Sequence, residues 1–189
     1  MSLSAENFLK NFPGRHWLQT FPDDKVLKTK QTDLARSFQS LTNHSHAELT
    51  RLNSAGAGIY VTINELKQAA KERSNENIES VRAFFLDLDG APLEPVFRCA
   101  MLPDLIVQTS QARFHAYWLL KEKNKADRNQ FRDTQKAIAA TFEGDRSIND
   151  LCRVMRLPGF YNMKAEPFLV RWAAVDGCRA MDEVLGRMQ

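Results

Sequence analysis

The chain has 189 residues, of which 43% are hydrophobic and 26% are charged, and its net charge is +3. This length suits one domain, and the composition excludes the disordered, collagen-like and low-complexity classes. No apolar run approaches the roughly 20 residues of a membrane span, so we expect a cytoplasmic protein that does not bind membranes.

The N-terminal third predicts short helices that lead into a strand. The helical candidates are residues 6–11, 33–39 and 46–52, and the strand follows at 59–63. With no internal repeat and no linker, we interpret residues 1–189 as one domain in which 1–52 form a helical lead-in.

The remainder of the chain is richer in predicted strands. A buried strand at 81–89 is followed by a hairpin of 105–110 and 113–120 and by a helix from Asp127 to about Glu143, which Gly144 ends. Further strands at 151–157 and 168–175 precede a helix at 181–187. This mixed order, with an antiparallel hairpin inside it, predicts an α+β fold and disfavours a doubly wound parallel sheet.

Two aspartates stand at the end of the strand at 81–89. Residues two apart on a strand project from the same face, so Asp87 and Asp89 present two carboxylates side by side after an apolar segment. A divalent cation converts the repulsion between such carboxylates into coordination. The pair therefore predicts a metal site for Mg²⁺ or Mn²⁺, and the alternative is that both acids lie in a solvated turn.

The predicted hairpin separates polar from apolar side chains. A two-residue turn at Gln111-Ala112 pairs Ser110 with Arg113 and Gln108 with His115. The alternation of the second strand then gives a cationic face and a core face: Arg113, His115 and Tyr117 against Phe114, Ala116 and Trp118. A cationic face beside two carboxylates suits a nucleoside triphosphate, with His115 or Arg113 at its phosphate oxygens.

The positive charge is concentrated late in the chain. Between residues 146 and 179 six basic residues stand against three acidic ones, which accounts for the whole surplus. We therefore expect Arg153, Arg156 and Lys164 to hold phosphates, although the two arginines are three apart and share a strand face only if a bulge intervenes. The alternative is a surface strand with solvated arginines.

These segments, in this order, resemble the archaeo-eukaryotic primase superfamily, and in particular its RepB-like primases from plasmids, phages and integrated elements. Residues 84–90 (Phe-Phe-Leu-Asp-Leu-Asp-Gly) resemble the first motif, and 109–118 (Thr-Ser-Gln-Ala-Arg-Phe-His-Ala-Tyr-Trp) resemble the second. Residues 145–164 are similar to an acidic loop followed by an Arg-Val-x-Arg-Leu-Pro-Gly-Phe strand and a lysine. The resemblance covers residues 53–171.

The resemblance implies a primase catalytic core, with an antiparallel sheet like that of RNA-recognition motifs, flanking helices and an N-terminal α/β unit. It implies that Asp87 and Asp89 bind the metals together with a third carboxylate, for which Asp145 is the first candidate and Asp150 the alternative. His115 would act on the incoming nucleotide. The implied nucleotide-binding set is Ser110, Arg113, His115, Arg153, Arg156 and Lys164.

The function that the resemblance implies is the synthesis of short primers on a single-stranded DNA template from nucleoside triphosphates, by two-metal nucleotidyl transfer, in the replication of a mobile element. The sequence contains no Gly-x-x-x-x-Gly-Lys loop. A replicative helicase, separate or fused, is therefore an expected partner.

Two other functions compete with this interpretation. Asp87-Leu88-Asp89-Gly90 also resembles the opening motif of haloacid-dehalogenase phosphatases, but Ala91-Pro92 follows it, and those enzymes require a doubly wound sheet. The other is a non-catalytic replication module that binds single-stranded nucleic acid. A module that only binds nucleic acid does not need two carboxylates facing a phosphate backbone. The presence of Asp87, Asp89 and His115 therefore argues against such a module.

Overall fold

The computed structural model describes residues 4–24, 32–125 and 128–189, without the side chains of 121–125 and 128. The helices are short except for two, and they are α1 (Ala5–Leu9), α2 (Asn43–Ser54), α3 (Glu94–Arg98), α4 (Arg128–Thr141) and α5 (Met181–Gly186). The strands are β1 (Trp17–Pro22), β2 (Ser37–Phe38), β3 (Ala57–Thr62), β4 (Glu65–Leu66), β5 (Ile78–Asp89), β6 (Leu105–Ser110), β7 (Arg113–Lys125), β8 (Val154–Arg156), β9 (Tyr161–Asn162), β10 (Phe168–Leu169) and β11 (Arg171–Ala174).

The strands form two main sheets and a small ribbon. The smaller main sheet has the order β2-β1-β3-β8, the larger has the order β11-β6-β7-β5-β4, and β9 pairs with β10. Every strand pairing in the described residues is antiparallel. The predicted α+β fold is confirmed, and the doubly wound parallel sheet of a haloacid-dehalogenase phosphatase is not this architecture.

The larger sheet is buried on both faces. Phe85, Val107 and Tyr117 belong to a core that also includes the smaller sheet, α1 and α2. Leu86 and Ala116, on the opposite face, belong to a second core with α3 and α5. This double burial explains the uninterrupted apolar run that precedes Asp87, since strands covered on both faces do not alternate between apolar and polar residues.

The N-terminal region differs from its prediction. The segment 33–39 is a 3-10 turn at Thr32–Leu34 followed by β2, and 1–52 also contains β1, so the prediction of a wholly helical lead-in was wrong. Strand β1 pairs with the whole of β3. The sequence does not show the alternation of apolar and polar residues expected of a strand, because a polar residue, Thr20, is fully buried in β1. The Thr20 hydroxyl donates to the Leu34 carbonyl.

The hairpin of β6 and β7 has the predicted bounds for β6 but a different register. Ser110 pairs with Arg113 as expected, whereas His115 pairs with Val107, so the predicted Gln108–His115 pair was wrong. A register shift between Gln108 and Ser110 is the cause, because a bulge places one extra residue opposite its partner.

Other predicted elements are confirmed with altered bounds. The strand predicted at 151–157 is reduced to β8, and the one at 168–175 is divided into β10 and β11. Asp127, the predicted cap of α4, lies outside the described residues. All three cysteines are free thiols. None of the helices in the described ranges has the length and apolar character that a bilayer crossing requires.

Candidate active site

A pocket of about 330 Å³ lies between the two main sheets. The larger sheet contributes polar and charged side chains from adjoining strands, namely Asp87, Asp89, Thr109, Arg113 and His115. The smaller sheet contributes Phe21, Pro22, Tyr60, Val154, Met155 and Arg156. Connecting segments and β9 add Asp23, Asp145, Ile148, Arg153, Asn162 and Lys164. Most of the predicted site residues therefore line one cavity.

The two aspartates of β5 face the hairpin directly. Asp87 is paired in register with His115, and Asp89 with Arg113. The Arg113 Nε lies 2.8 Å from Asp89 Oδ1, and both side chains are about half exposed, which makes this a weak ion pair that a ligand can displace. The predicted juxtaposition of acidic strand and basic hairpin face is present.

Asp87 is held in a position that disfavours its charge. Burial, and then the neighbouring carboxylates of Asp89 and Asp145, raise the pKa of Asp87 to about 6. The cations Lys164 and Arg113 oppose this rise in pKa without cancelling it. The pocket therefore has a local excess of negative charge at the aspartates, which a bound cation would neutralise.

The open edge of β5 explains how Asp145 reaches this site. Near Phe85 the strand has a neighbour only on the β7 side, and Gln135 of α4 bonds the backbone on the other side, accepting from the Phe85 N–H and donating to the Phe85 carbonyl, both at 3.0 Å. Two residues later the Asp145 N–H donates to the Asp87 carbonyl at 2.9 Å. Asp145 is thus fixed beside Asp87 by its own backbone.

Gly144 permits this close approach. A Cβ at this position would lie 2.9 Å from the Asp87 carbonyl oxygen and would also overlap the Leu86 side chain. The left-handed conformation that ends α4 belongs to Glu143, with φ 55°, and not to Gly144. The glycine predicted as a helix terminator is required instead for the contact between the loop and β5.

Asp150, the alternative third carboxylate, does not line the pocket. Its Oδ1 accepts a hydrogen bond from Arg153 Nε at 2.7 Å, and Arg153 also donates to the Ser147 carbonyl. Of the two candidates, the geometry favours Asp145. Arg153 reaches the pocket with part of its charge already neutralised by Asp150.

Arg156 forms a buried ion pair that the sequence did not predict. Its Nη1 and Nη2 donate to the two carboxylate oxygens of Asp23 at 2.9 and 2.7 Å. The Tyr60 hydroxyl and the Met163 N–H also donate to Asp23, at 3.0 and 2.8 Å. The guanidinium therefore supports the wall of the pocket, and both of its Nη atoms are already bonded to Asp23.

Lys164 is the basic residue that this arrangement leaves available. Its ammonium has no hydrogen bond or ion pair within the described part of the chain, and burial, followed by the charge of Arg156, lowers the pKa of Lys164. Asn162 holds its backbone by accepting from the Lys164 N–H and donating to the Thr109 carbonyl. Lys164 thus borders the same cavity as the carboxylates.

His115 is buried and uncharged at neutral pH. Burial, with Arg156 and Lys164 nearby, lowers its pKa to about 3. Its Nε2 lies 3.8 Å from Asp87 Oδ1, which at that protonation is neither an ion pair nor a hydrogen bond. Its Nδ1 lies 3.0 Å from the Tyr117 hydroxyl.

Ser110 does not line the pocket, whereas its neighbour Thr109 does. The bulge in β6 is responsible, because inserting one residue reverses which side chains face the cavity. Sequence reasoning also missed Asp23, Tyr60 and Asn162. The only available signal for Asp23 was that a buried arginine needs a carboxylate partner, which does not say which one.

The carboxylates suit a divalent cation by chemistry, since Mg²⁺ and Mn²⁺ prefer oxygen ligands. Across residues 4–24, 32–125 and 128–189, no three Asp, Glu, His or Cys side chains stand together as a finished metal-binding group. The Arg113–Asp89 ion pair holds one of the carboxylates. The carboxylates therefore fit a divalent cation, provided that Asp89 leaves its ion pair with Arg113 and binds the cation.

Antiparallel sheets around a pocket with paired aspartates and a histidine are the arrangement that the sequence resemblance implied. The family model of the RepB DNA-primase N-terminal domain matches residues 22–184. The chain therefore belongs to the RepB DNA-primase family, whose members are DNA primases and nucleotidyltransferase-type enzymes. No curated protein sequence matches it.

Solved structures share the fold at low sequence identity. The archaeo-eukaryotic primase domain of the cyanophage S-2L primase-polymerase superimposes with a TM-score of 0.66 and 18% identity, over 89% of this chain and 87% of that one. The catalytic domain of primase RepB′, solved in complex with initiator DNA, gives 0.63 and 18%, over 97% and 92%. A longer RepB′ structure gives 0.61 and 16%, with 62% of that chain covered.

Proposed function

We propose that this domain synthesises short primers on single-stranded DNA by metal-assisted nucleotidyl transfer, with the pocket between the sheets as the active site. The observation that carries the proposal is that Asp87, Asp89 and Asp145 line one cavity together with His115 and Lys164. Carboxylates with hydrogen-bond donors beside them match a metal-bound triphosphate, since the metal binds carboxylates and the phosphate oxygens accept hydrogen bonds.

The three aspartates are the residues that would hold Mg²⁺ or Mn²⁺. When bound, such ions neutralise phosphate charge and activate the attacking 3′-hydroxyl. The chain's part is to keep Asp87 and Asp145 together through the backbone hydrogen bond between them, and to release Asp89 from Arg113. The raised pKa of Asp87 is consistent with this assignment, because burial and the neighbouring carboxylates of Asp89 and Asp145 disfavour its charge, which a bound cation would favour.

Lys164, Arg113 and His115 are the hydrogen-bond donors that would bind the triphosphate. Lys164 supplies an unpaired ammonium, and Arg113 supplies a guanidinium once it leaves Asp89. His115 offers a neutral N–H, which binds a phosphate oxygen without adding charge. Arg153 and Arg156 also line the pocket, but each is paired with an aspartate, so we expect them to bind phosphate less strongly than Lys164.

The template and other partners follow from the same proposal. A RepB′ catalytic domain with a similar fold has been solved with initiator DNA, which supports single-stranded DNA as the template here. A replicative helicase, separate or fused, would supply the unwinding. Neither alternative is favoured, because the antiparallel sheets differ from the doubly wound parallel sheet of a haloacid-dehalogenase phosphatase, and a module that only binds nucleic acid has no need of three carboxylates in its pocket.

The test is primer synthesis itself. The protein is incubated with single-stranded DNA, labelled ribo- or deoxyribonucleotides and Mg²⁺ or Mn²⁺, and the products are resolved on a gel. We expect short oligomers that require template and metal and are absent with Asp87→Asn. Template-independent products, or equal synthesis by Asp87→Asn, would contradict the proposal.

A further inference from the structure

The hydroxyl of Tyr117 lies in the core directly behind the active-site histidine. Its side chain is fully buried, and its ring is surrounded by the rings of Phe8, Phe12 and Phe85, with centroids 5.9, 6.0 and 6.4 Å away. In the described part of the chain, the hydroxyl has one hydrogen-bond partner, His115 Nδ1 at 3.0 Å. The rings around it offer no acceptor, and Asp87, whose charge acts on the hydroxyl, makes no hydrogen bond with it in the described residues.

This environment decides the direction of the hydrogen bond. If His115 carried its proton on Nδ1, it would donate to the phenol oxygen, and the phenol proton would be left without an acceptor in an apolar core. Burying an unsatisfied donor costs more than an ordinary hydrogen bond contributes. The phenol therefore donates to Nδ1, and the imidazole proton resides on Nε2.

The other side of the ring faces the pocket. His115 is opposite Asp87 across the β5 and β7 pair, and its Nε2 lies 3.8 Å from Oδ1 of that carboxylate. An N–H directed towards carboxylates and away from the core is placed to donate to an anionic ligand. With the other tautomer this atom would present a lone pair to the same negative charges.

We propose that Tyr117 is a positioning residue that fixes His115 in its Nε2–H tautomer, so that this nitrogen donates to a phosphate oxygen of the incoming nucleotide. The inference rests on the proposed function for the identity of the ligand, but not for the tautomer. The strand alternation that puts residues 115 and 117 on one face makes the arrangement local, because two residues of β7 supply both partners.

The first test needs no activity. In the metal-free wild-type protein, ¹⁵N NMR of the imidazoles, with the signals of His115 assigned by their loss in His115→Ala, should show the proton on Nε2. Tyr117→Phe keeps the ring in the core and removes only the hydroxyl, so the His115 signals should move towards a mixture of tautomers. Tyr161→Phe, whose hydroxyl belongs to an exposed side chain, should leave them unchanged.

The second test is kinetic and separates positioning from packing. Loss of one oriented hydrogen bond should raise the nucleotide KM about threefold to tenfold in Tyr117→Phe. In the His115→Ala background the same substitution should add nothing, because Tyr117 acts through the imidazole. A general packing defect would instead lower activity to the same extent in both backgrounds.

The proposal is overturned if wild-type His115 carries its proton on Nδ1, or if Tyr117→Phe retains the wild-type KM. It is equally overturned if the effect of Tyr117→Phe is undiminished without His115. If the NMR shows the Nε2–H tautomer while the wild-type protein makes no primers and binds no triphosphate, the proposed function fails and the tautomer assignment stands. Should Tyr117→Phe not fold, the wild-type spectrum alone still decides the tautomer.

Discussion

Arg156 and Asp23 form a bidentate ion pair in which the two side chains are only 7% and 1% exposed. Asp23 is further saturated by Tyr60 and by the Met163 backbone, so this pair joins β8, β3 and the segment that leads to Lys164. The close packing extends to Gly58, where a Cβ would lie 2.8 Å from the Asp23 carboxyl carbon. An arginine that resembles a ligand-binding residue in sequence is therefore part of the pocket wall.

Lys164→Ala and Arg156→Ala should consequently have different effects. Removing the unpaired ammonium of Lys164 should weaken the binding of a non-hydrolysable triphosphate, in the presence of metal, by about 1.5–3 kcal/mol, the contribution of a hydrogen bond to a charged group. Arg156→Ala leaves Asp23 buried and unpaired, and should lower the free energy of unfolding by about 3–5 kcal/mol. Triphosphate-binding isotherms and urea unfolding check the two effects, and unchanged triphosphate binding by Lys164→Ala would contradict the assignment of this lysine to the phosphates.

Asp87→Asn should abolish primer synthesis yet stabilise the metal-free protein. Because folding raises the pKa of Asp87 from 3.8 to about 6, the ionised carboxyl destabilises the folded state at every pH above about 6, and this penalty disappears as the pH falls towards 3.8. With a side chain 25% exposed, we expect a gain of roughly 2 kcal/mol at pH 8. Unfolding curves in EDTA at pH 8 and pH 4 measure it, and a variant that is less stable than wild type at pH 8 would refute the electrostatic assignment.

Asp145→Asn and Asp150→Asn distinguish the two candidates for the third carboxylate. Asp145 borders the pocket, whereas Asp150 is bound to Arg153 away from it. Asp145→Asn should abolish synthesis with little change in stability. Asp150→Asn should keep most of the activity and lose about 1 kcal/mol of stability, as expected for a partly exposed ion pair. The reverse result would move the metal site to Asp150.

His115→Ala should affect the nucleotide and not the template. The imidazole faces Asp87 on the larger sheet, and under the proposed function the contact that the variant loses is one with the triphosphate. We expect a higher nucleotide KM, a lower kcat or both, and weaker binding of a non-hydrolysable triphosphate with metal. Template affinity without nucleotide should remain within about a factor of two, because a lost contact affects only the ligand that makes it. Collapse of template binding with intact triphosphate binding would place His115 in the DNA channel.

Gly144→Ala tests the loop that carries Asp145. The added methyl would meet the Asp87 carbonyl and Leu86, so the loop must move away from β5 and take the carboxylate with it. We expect a stability loss of about 1–3 kcal/mol, typical of overpacking, and a marked loss of activity. Gly186→Ala is the matched control, because a Cβ there meets no atom within 4 Å and lies in α5. An active, stable Gly144→Ala protein would show that the loop is not held as described.

Where sequence prediction failed, the reason is tertiary. The strand β1 was missed because Thr20 buries a polar group whose acceptor, the Leu34 carbonyl, comes from another segment. The Gln108–His115 pairing failed because a bulge leaves no mark in the residues on either side of the turn. Gln135 lies on the buried face of a helix that was predicted correctly. Its side chain bonds the backbone of β5 where a neighbouring strand would otherwise do so, and this role depends on which edge of the sheet α4 covers.

The sequence by itself determined which side chains share a strand face: Asp87 with Asp89, and Arg113 with His115 and Tyr117. The two-residue period of a strand is local and survives changes in its surroundings. Only the tertiary structure decided that Asp145 and not Asp150 reaches the pocket, and that Arg156 belongs to Asp23, 133 residues away. Such pairings depend on which surfaces the two sheets bring together, and no spacing along the chain encodes a contact made between its distant ends.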